Sequence, residues 1–365
     1  MKDGGEQGSN ESKMTKIQKV PLMLRTLKNK DKYDPLVVSI GPYHHGNPKL
    51  ELIQNLKDPI AKKLVEVKYG KQMDVVRTEF VKKACNAREF YAVGSTKEFD
   101  DGAFMNMMFL DGCFVLHFID CVANEKLKDM EMKLHYIVFK DEDTHRLCDD
   151  GGKEGIEGRS EKPPHLLELL WEKTLGTFPS SNALSNGSWS SYRSVEELIA
   201  VGIEFKRSNT HRLCDVGYRP KRFGRELSLP AIAIDDSTER KFLNLIAYET
   251  CPDGPEDYGV TSYICFMDSL IDNAKDVKEL RLRGILHNSL GSDEQVADLF
   301  NQLSDNLVLD PHAYSGVKNN IENHYQSRVG TRASNPGIWG SIPSLNTFDT
   351  LEARSKYFWG QGNSN

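Results

Sequence analysis

The chain has 365 residues, with 47 Lys and Arg against 53 Asp and Glu, a net charge of −6 and 39% hydrophobic residues. That length supports a substantial core in one large domain or two to three ordinary ones, and the slightly acidic balance leaves no global positive field to hold nucleic acid. Seven cysteines form no CxxC pair, and the polar start MKDGGEQGSNESKM lacks the apolar run of a signal peptide, so free thiols in a reducing, cytoplasmic compartment are expected.

Residues 1–16 are rich in Gly, Ser, Asn and Glu without apolar periodicity, and are expected to form a disordered tail ahead of a core domain over 17–310. Leu36-Val37-Val38-Ser39-Ile40, bounded by Pro35 and Gly41-Pro42, predicts a short buried strand or extended segment. From Pro59 to Tyr91 the apolar residues Ile60, Leu64, Val67, Met73, Val76, Phe80, Ala84, Ala87 and Tyr91 recur mostly three or four apart. That spacing predicts one or two amphipathic helices, broken near Gly70. Phe104 to Val122 is apolar nearly all round, which predicts a central helix buried in the core. Its richest apolar stretch, Phe114 to Val122, is shorter than the roughly 20 residues that cross a bilayer.

Residues 141–162 hold eight acids, four bases and four Gly with no aromatic, the composition of a linker. A short helix is predicted over His165–Leu175, and Ser194 with Glu197 reads as a capping box opening another helix. LSLPAIAI, 227–234, has a strand pattern interrupted by Pro230, which suits an edge or bulged strand. Asp236-Ser237-Thr238-Glu239 is expected to cap a helix carrying Phe242, Leu245, Ile246 and Tyr248. Further helices are predicted over roughly 260–274, 276–286 and from Ser292 onward. The expected fold class is mainly α with a few short strands, followed by a polar C-terminal extension over 311–365.

Five blocks stand out in order along the chain: YDPLVVSIGPYHHG at 33–46, MFLDGCFVL at 108–116, NLIAYE at 244–249, VTSY at 260–263 and GILHNSLGSDE at 284–294. Together they resemble one plant family, the domain-of-unknown-function 247 family. The resemblance implies a plant protein without an agreed enzymatic activity, usually tethered by a membrane-spanning helix near its C-terminus. It also implies a recognition role, since grass members are implicated as pollen-side determinants of self-incompatibility. The sequence departs from that pattern after Lys128-Asp129-Met130, where an expected apolar block is replaced by EMKLHY, and after Tyr357-Phe358-Trp359, where the chain stops at Asn365. The anchor is therefore expected to be missing and the chain cytoplasmic.

Three constellations invite chemistry. Tyr43, His44 and His45 follow a Gly-Pro turn, where imidazoles that titrate near neutral pH suit acid–base or ligand-binding work, and Asp111 lies inside an apolar helix, where a carboxylate requires a partner such as Lys, Arg or a helix-end N–H. These four form the candidate binding set, with a structural role for the His pair as the simpler alternative and no catalytic residue assigned. Thr144-His145-Arg146-Leu147-Cys148-Asp149 recurs 66 positions later as Thr210-His211-Arg212-Leu213-Cys214-Asp215. Two His-x-x-Cys pairs, His145 with Cys148 and His211 with Cys214, could supply the two N and two S ligands of a tetrahedral zinc. A local duplication explains the same spacing without a metal, so no cofactor is expected. Cys113, His117 and Cys121 share one side of the central helix, a pattern that a buried core also explains. The basic residues Lys16, Lys19, Arg25, Lys28, Lys30 and Lys32 could meet an acidic membrane or partner, although a solvated face is the ordinary outcome. No Gly-rich phosphate loop, His-Glu-x-x-His or Gly-x-Ser-x-Gly occurs. The expectation is a non-enzymatic interaction module with a protein partner; the alternatives are an enzyme built on Tyr43, His44, His45 and Asp111, or a degenerate family copy.

Overall fold

The computed structural model describes residues 16–123 apart from 27, 166–177, 193–305 apart from 223 and 256, 307, and 313–334. The chain divides into two units, 1–320 and 321–365. The architecture is mainly helical with five short strands among the described residues.

The segment 33–46 enters as single turns rather than a strand. Leu36–Ile40 forms no ladder, and Leu36 and Ile40 are exposed at 64% and 46%, which corrects the expected buried strand. With no neighbouring strand to pair with, the apolar run is pinned through its backbone near Ser39 and Gly41 instead. The next elements follow the periodicity: α1 (Lys57–Lys62), a π-helical turn over Lys63–Lys68, then α2 (Met73–Lys83). The break falls where Gly70 takes a φ of 62°, a left-handed conformation that glycine adopts without steric cost. Leu64, Val65 and Ala61 pack on Phe109 and Cys113 of α3 (Asp101–Ala123), with Met73, Val76 and Phe80 of α2 closing the cluster.

α3 is longer than the apolar stretch that announced it. Asp101–Asp120 is long and apolar enough to cross a membrane by length and composition, and a third of that stretch is buried inside the protein. Its first half is core, with Phe104, Met107, Phe109, Asp111, Cys113 and Phe114 buried. Asn106 in that half is exposed, and Leu116 and Ile119, farther along, are exposed at 59% and 48%, so the helix buries one face of its first half and the expected all-round burial is corrected.

The predicted linker 141–162 lies outside the described residues. Beyond it come α4 (Leu166–Leu175) and α5 (Val195–Ala200), the latter opened by the expected Ser194/Glu197 capping box. Three strands follow: β1 (Ile203–Arg207), β2 (Gly217–Pro220) and β3 (Arg225–Leu229). They form a sheet in the order β1-β3-β2, parallel between β1 and β3 and antiparallel between β2 and β3, with Phe205 and Tyr218 both in register with Leu227. β3 is thus a central strand. Pro230 falls between it and β4 (Ile232–Ile234), which pairs in parallel with β5 (Leu286–Asn288) in a separate sheet. The interrupted pattern was two strands, and the proline needs no ladder N–H at the point where the chain changes sheets.

The main core is helical. α6 (Thr238–Thr250), α7 (Gly259–Leu270), α8 (Ala274–Leu282) and α9 (Asp293–Ser304) bury Phe242, Leu245, Ile264, Phe266, Leu280 and Phe300 among them. α6 is opened one residue earlier than expected: Asp235 Oδ1 accepts the N–H groups of Ser237 and Thr238 at 2.8 and 3.1 Å. Capping boxes at Asn273/Asp276 and Ser292/Gln295 begin α8 and α9. α10 (Ser315–Ser334) starts in the first unit, and its part from Ile321 onward is what is described of the second.

Candidate functional site

The 33–46 segment meets the helices at a buried ion pair. Asp111 sits on the face of α3 that packs on α1, and Lys57 opens α1; both are buried, at 3% and 0% exposed. The Lys57 ammonium donates to Asp111 Oδ1 and, at 2.5 Å, to the carbonyl of Ser39. Asp111 Oδ2 accepts the Gly41 N–H at 2.8 Å. A carboxylate and an ammonium removed from water survive only when both are paired and hydrogen-bonded, and here each polar contact also fixes the backbone of the segment. Burial pushes the Asp111 carboxyl up, against the opposing pull of Lys57 and the Gly41 N–H. The partner anticipated for Asp111 is therefore a lysine, reinforced by an N–H at the start of a short 3-10 turn, Pro42–His44. Gly41 takes a φ of 77°, and a Cβ there would lie 2.8 Å from the Tyr91 hydroxyl, so backbone and neighbour both require glycine.

The other three candidates follow Gly41 in the same segment. Tyr43 donates its hydroxyl to the Ile17 carbonyl at 2.6 Å, lies edge-on to Tyr91 with centroids 5.8 Å apart, and carries Lys19 over its ring at 5.3 Å. Burial raises the Tyr43 hydroxyl and pushes that of Tyr91 up to about 12, the Asp111 charge adding to the second shift. His44 is half-buried and pulled down by burial, the nearby Asp34 opposing. The His45 ring lies edge-on to Phe99 at 5.6 Å, and its Nδ1 is buried with no hydrogen-bond partner among the described residues. Gly41, Tyr43 and Asp111 are thus brought together around Tyr91, each held in a contact that joins the segment to the fold. Lys57 went unnoticed in the sequence, although it carried a signal: Ile53, Lys57, Ala61 and Leu64 form one stripe at helical spacing, and the charge sits on its apolar side.

A second buried carboxylate joins two other signature blocks. Glu249, 1% exposed at the end of α6, accepts the Val260 N–H at 2.8 Å and the Trp171 indole N–H at 2.7 Å through Oε1; its Oε2 takes the Thr261 N–H and hydroxyl at 2.8 and 2.6 Å. Two orphan N–H groups at the start of α7 are satisfied from within the protein. Burial raises the Glu249 carboxyl and these four donors oppose the rise. Asp276 acts similarly for three backbone groups, accepting from Glu196 at 2.9 Å and from Asp272 and Asn273 at 3.1 Å. In the last block Asn288 and Arg281 both hold Asp293, the arginine in a two-bond fork at 3.1 and 2.9 Å.

Of the four proposed zinc ligands, His145 and Cys148 lie outside the described residues. His211 is exposed with Nδ1 at 3.1 Å from the Ala231 carbonyl, and Cys214 is half-buried with its thiol pushed up by burial. No group of three or more His, Cys, Asp or Glu side chains that could hold a metal occurs among the described residues. The second copy is built into the fold. Leu213 and Cys214 donate their N–H groups to Thr174 and Leu175 at 2.9 Å each, and the Leu213 carbonyl accepts the Tyr314 hydroxyl at 2.9 Å. Cys113 is packed in the cluster with Leu64 and Phe109, its thiol likewise raised by burial.

The family model described as plant protein of unknown function, domain-of-unknown-function family 247, matches residues 17–150 and 138–336. The chain belongs to that family. UPF0481 protein At3g47200 of Arabidopsis thaliana is 25% identical over 342 residues, covering 77% of this chain and 71% of the relative. Putative UPF0481 protein At3g02645 of the same plant is 32% identical over 150 residues, covering 41% of this chain and 24% of the relative. No solved structure matches. The two family-model segments overlap over 138–150, a stretch that contains the first hexapeptide copy, 144–149.

Proposed function

We propose that this family member is a non-enzymatic recognition module that binds a protein partner on the cytoplasmic side of the cell, its specific form being the self-incompatibility role that the family resemblance implies. The observation that supports the reading is the commitment of Asp111: both carboxylate oxygens are engaged in holding the signature segment, and the residue is buried, which keeps the most chemically suggestive carboxylate away from a substrate in solvent. Tyr43 likewise spends its proton on the Ile17 carbonyl. Saturable binding of one purified plant protein to the immobilised full chain, with a defined Kd and lost on thermal unfolding, is the expected result. Turnover of a small substrate by the purified chain, abolished by His44→Ala or His45→Ala without a change in melting, would sink it. That enzymatic outcome is the second reading, and the unpartnered Nδ1 of His45 beside the Asp111 pair is what favours it.

A further inference from the structure

We propose that the turn Leu22–Leu24 docks on an anionic lipid surface, inserting Leu22 and Met23 while Lys19, Lys28 and Lys30 meet the headgroups. Between residues 16 and 30 the sequence has five basic residues, Lys16, Lys19, Arg25, Lys28 and Lys30, and no acid. The 3-10 turn in the middle of that run holds Leu22 and Met23 in water at 87% and 80% exposure. Such exposure costs free energy unless something apolar meets it.

The exposure is imposed by the fold, because the turn is tied down on both sides. Before it, the Ile17 N–H donates to the Phe90 carbonyl and Gln18 Nε2 to Asp253 Oδ2, each at 2.6 Å. After it, Arg25 pairs with Asp34 at 2.8 Å and Lys32 with Glu239 at 2.5 Å. Those two acids neutralise Arg25 and Lys32, whereas Lys19, Lys28 and Lys30 are exposed with no acidic partner among the described residues. Leu36, in the segment that Arg25 holds through Asp34, is a further exposed apolar residue.

Shape and charge select the occupant. A convex three-residue turn offers no groove for a partner's side chains, but a bilayer closes around a projecting apolar tip, and anionic headgroups complement cations of a single sign. An acidic protein would satisfy the lysines and leave Leu22 and Met23 in water.

The test is flotation of the full chain with phosphatidylcholine vesicles, with and without phosphatidylserine. The expected result is binding only to the anionic vesicles, weakened by salt. Lys19→Gln, Lys28→Gln and Lys30→Gln together should lower partitioning about a hundredfold, at about fivefold per lysine. Leu22→Ser with Met23→Ser should lower it at least about tenfold. A Met23→Trp reporter should shift its emission to the blue on binding. These sites are exposed, so unchanged melting curves certify the fold of each variant. The proposal is overturned if the wild-type chain ignores anionic vesicles or binds neutral ones equally. It is also overturned if binding survives Leu22→Ser/Met23→Ser, which is the behaviour of a purely electrostatic contact such as an acidic protein makes. Loss in Leu116→Ser/Ile119→Ser instead would move the membrane contact to α3 and equally refute it. Partner capture is measured without lipid, so this result and the recognition reading can fail independently.

Discussion

Replacing Lys57 by methionine keeps most of the side-chain volume at the start of α1 and removes only the ammonium. Asp111 then keeps the Gly41 N–H but loses its counter-charge, and the Ser39 carbonyl loses its donor. Removing one partner of a buried pair costs about 3–5 kcal/mol, because the remaining charge is stranded in a medium that solvates it poorly. At about 2–4 °C per kcal/mol for a folding unit of roughly 150–250 residues, a loss near 4 kcal/mol lowers the Tm by about 8–16 °C at pH 7.5. The deficit should depend on pH with a definite sign. Burial already raises the Asp111 carboxyl, and without Lys57 the pull that lowers it is largely gone. The folded state then binds a proton more tightly than the unfolded one, so stability is highest below the unfolded carboxylate pKa of about 3.9 and falls as pH rises towards the folded value. The gap between wild type and Lys57→Met, followed by thermal melts monitored by near-UV circular dichroism, should therefore narrow between pH 7.5 and pH 5. A gap under about 2 °C, or one equal at both pH values, would refute the idea that this pair is what fixes the signature segment.

Glu249→Gln exchanges one acceptor oxygen for a donor that faces the N–H groups opening α7; a loss of about 3 kcal/mol and altered Trp171 fluorescence are expected, and a denaturant titration followed by that emission checks both. Gly41→Ala should cost about 1–3 kcal/mol, of which Tyr91→Phe in the same chain recovers only the steric part, because the φ of 77° remains unfavourable for alanine; the double-mutant melt separates the two. His44 is pulled down by burial, with Asp34 opposing and Arg25 and Lys19 adding to the fall, so the folded state binds fewer protons than the unfolded chain near its ordinary pKa. Stability from this group is present above that pKa and is lost as pH falls through it, and His44→Gln should flatten the decline in Tm between pH 7 and pH 5.

Helices were legible wherever one face was apolar and a cap was written beside it. Ser194 with Glu197 and Ser292 with Gln295 satisfy backbone donors locally, so three or four residues suffice to read them. The strands were harder because their partners are remote: β1 takes its register from β3 some 22 residues on, as in Ile203 opposite Arg225, and β5 meets β4 across three intervening helices. Leu36–Ile40 looked like a strand because its composition is that of one, yet composition cannot supply a neighbour, and the segment is held by Lys57 and Asp111 instead. The carboxylate at 111 advertised its need for a partner through the cost of burying a charge. Which residue answered depends on how α1 lies against α3, and that contact is a property of the packed chain.

The duplicated hexapeptide allows the zinc and duplication readings to be separated by a single pair of substitutions. The second copy is built into the fold: Leu213 is 2% exposed, its N–H reaches the end of α4 and its carbonyl holds Tyr314, which stacks on Phe266 at 5.5 Å. Leu213→Ala therefore opens a cavity at the junction of three elements and should cost about 2–5 kcal/mol. If the first copy repeats a region whose place the second already fills, Leu147→Ala should leave the melting curve unchanged, and so should Cys148→Ser and a zinc chelator. If the two copies shared a tetrahedral ion, Cys148→Ser and Cys214→Ser would destabilise the chain alike, and the chelator would reproduce both losses while adding nothing to either variant.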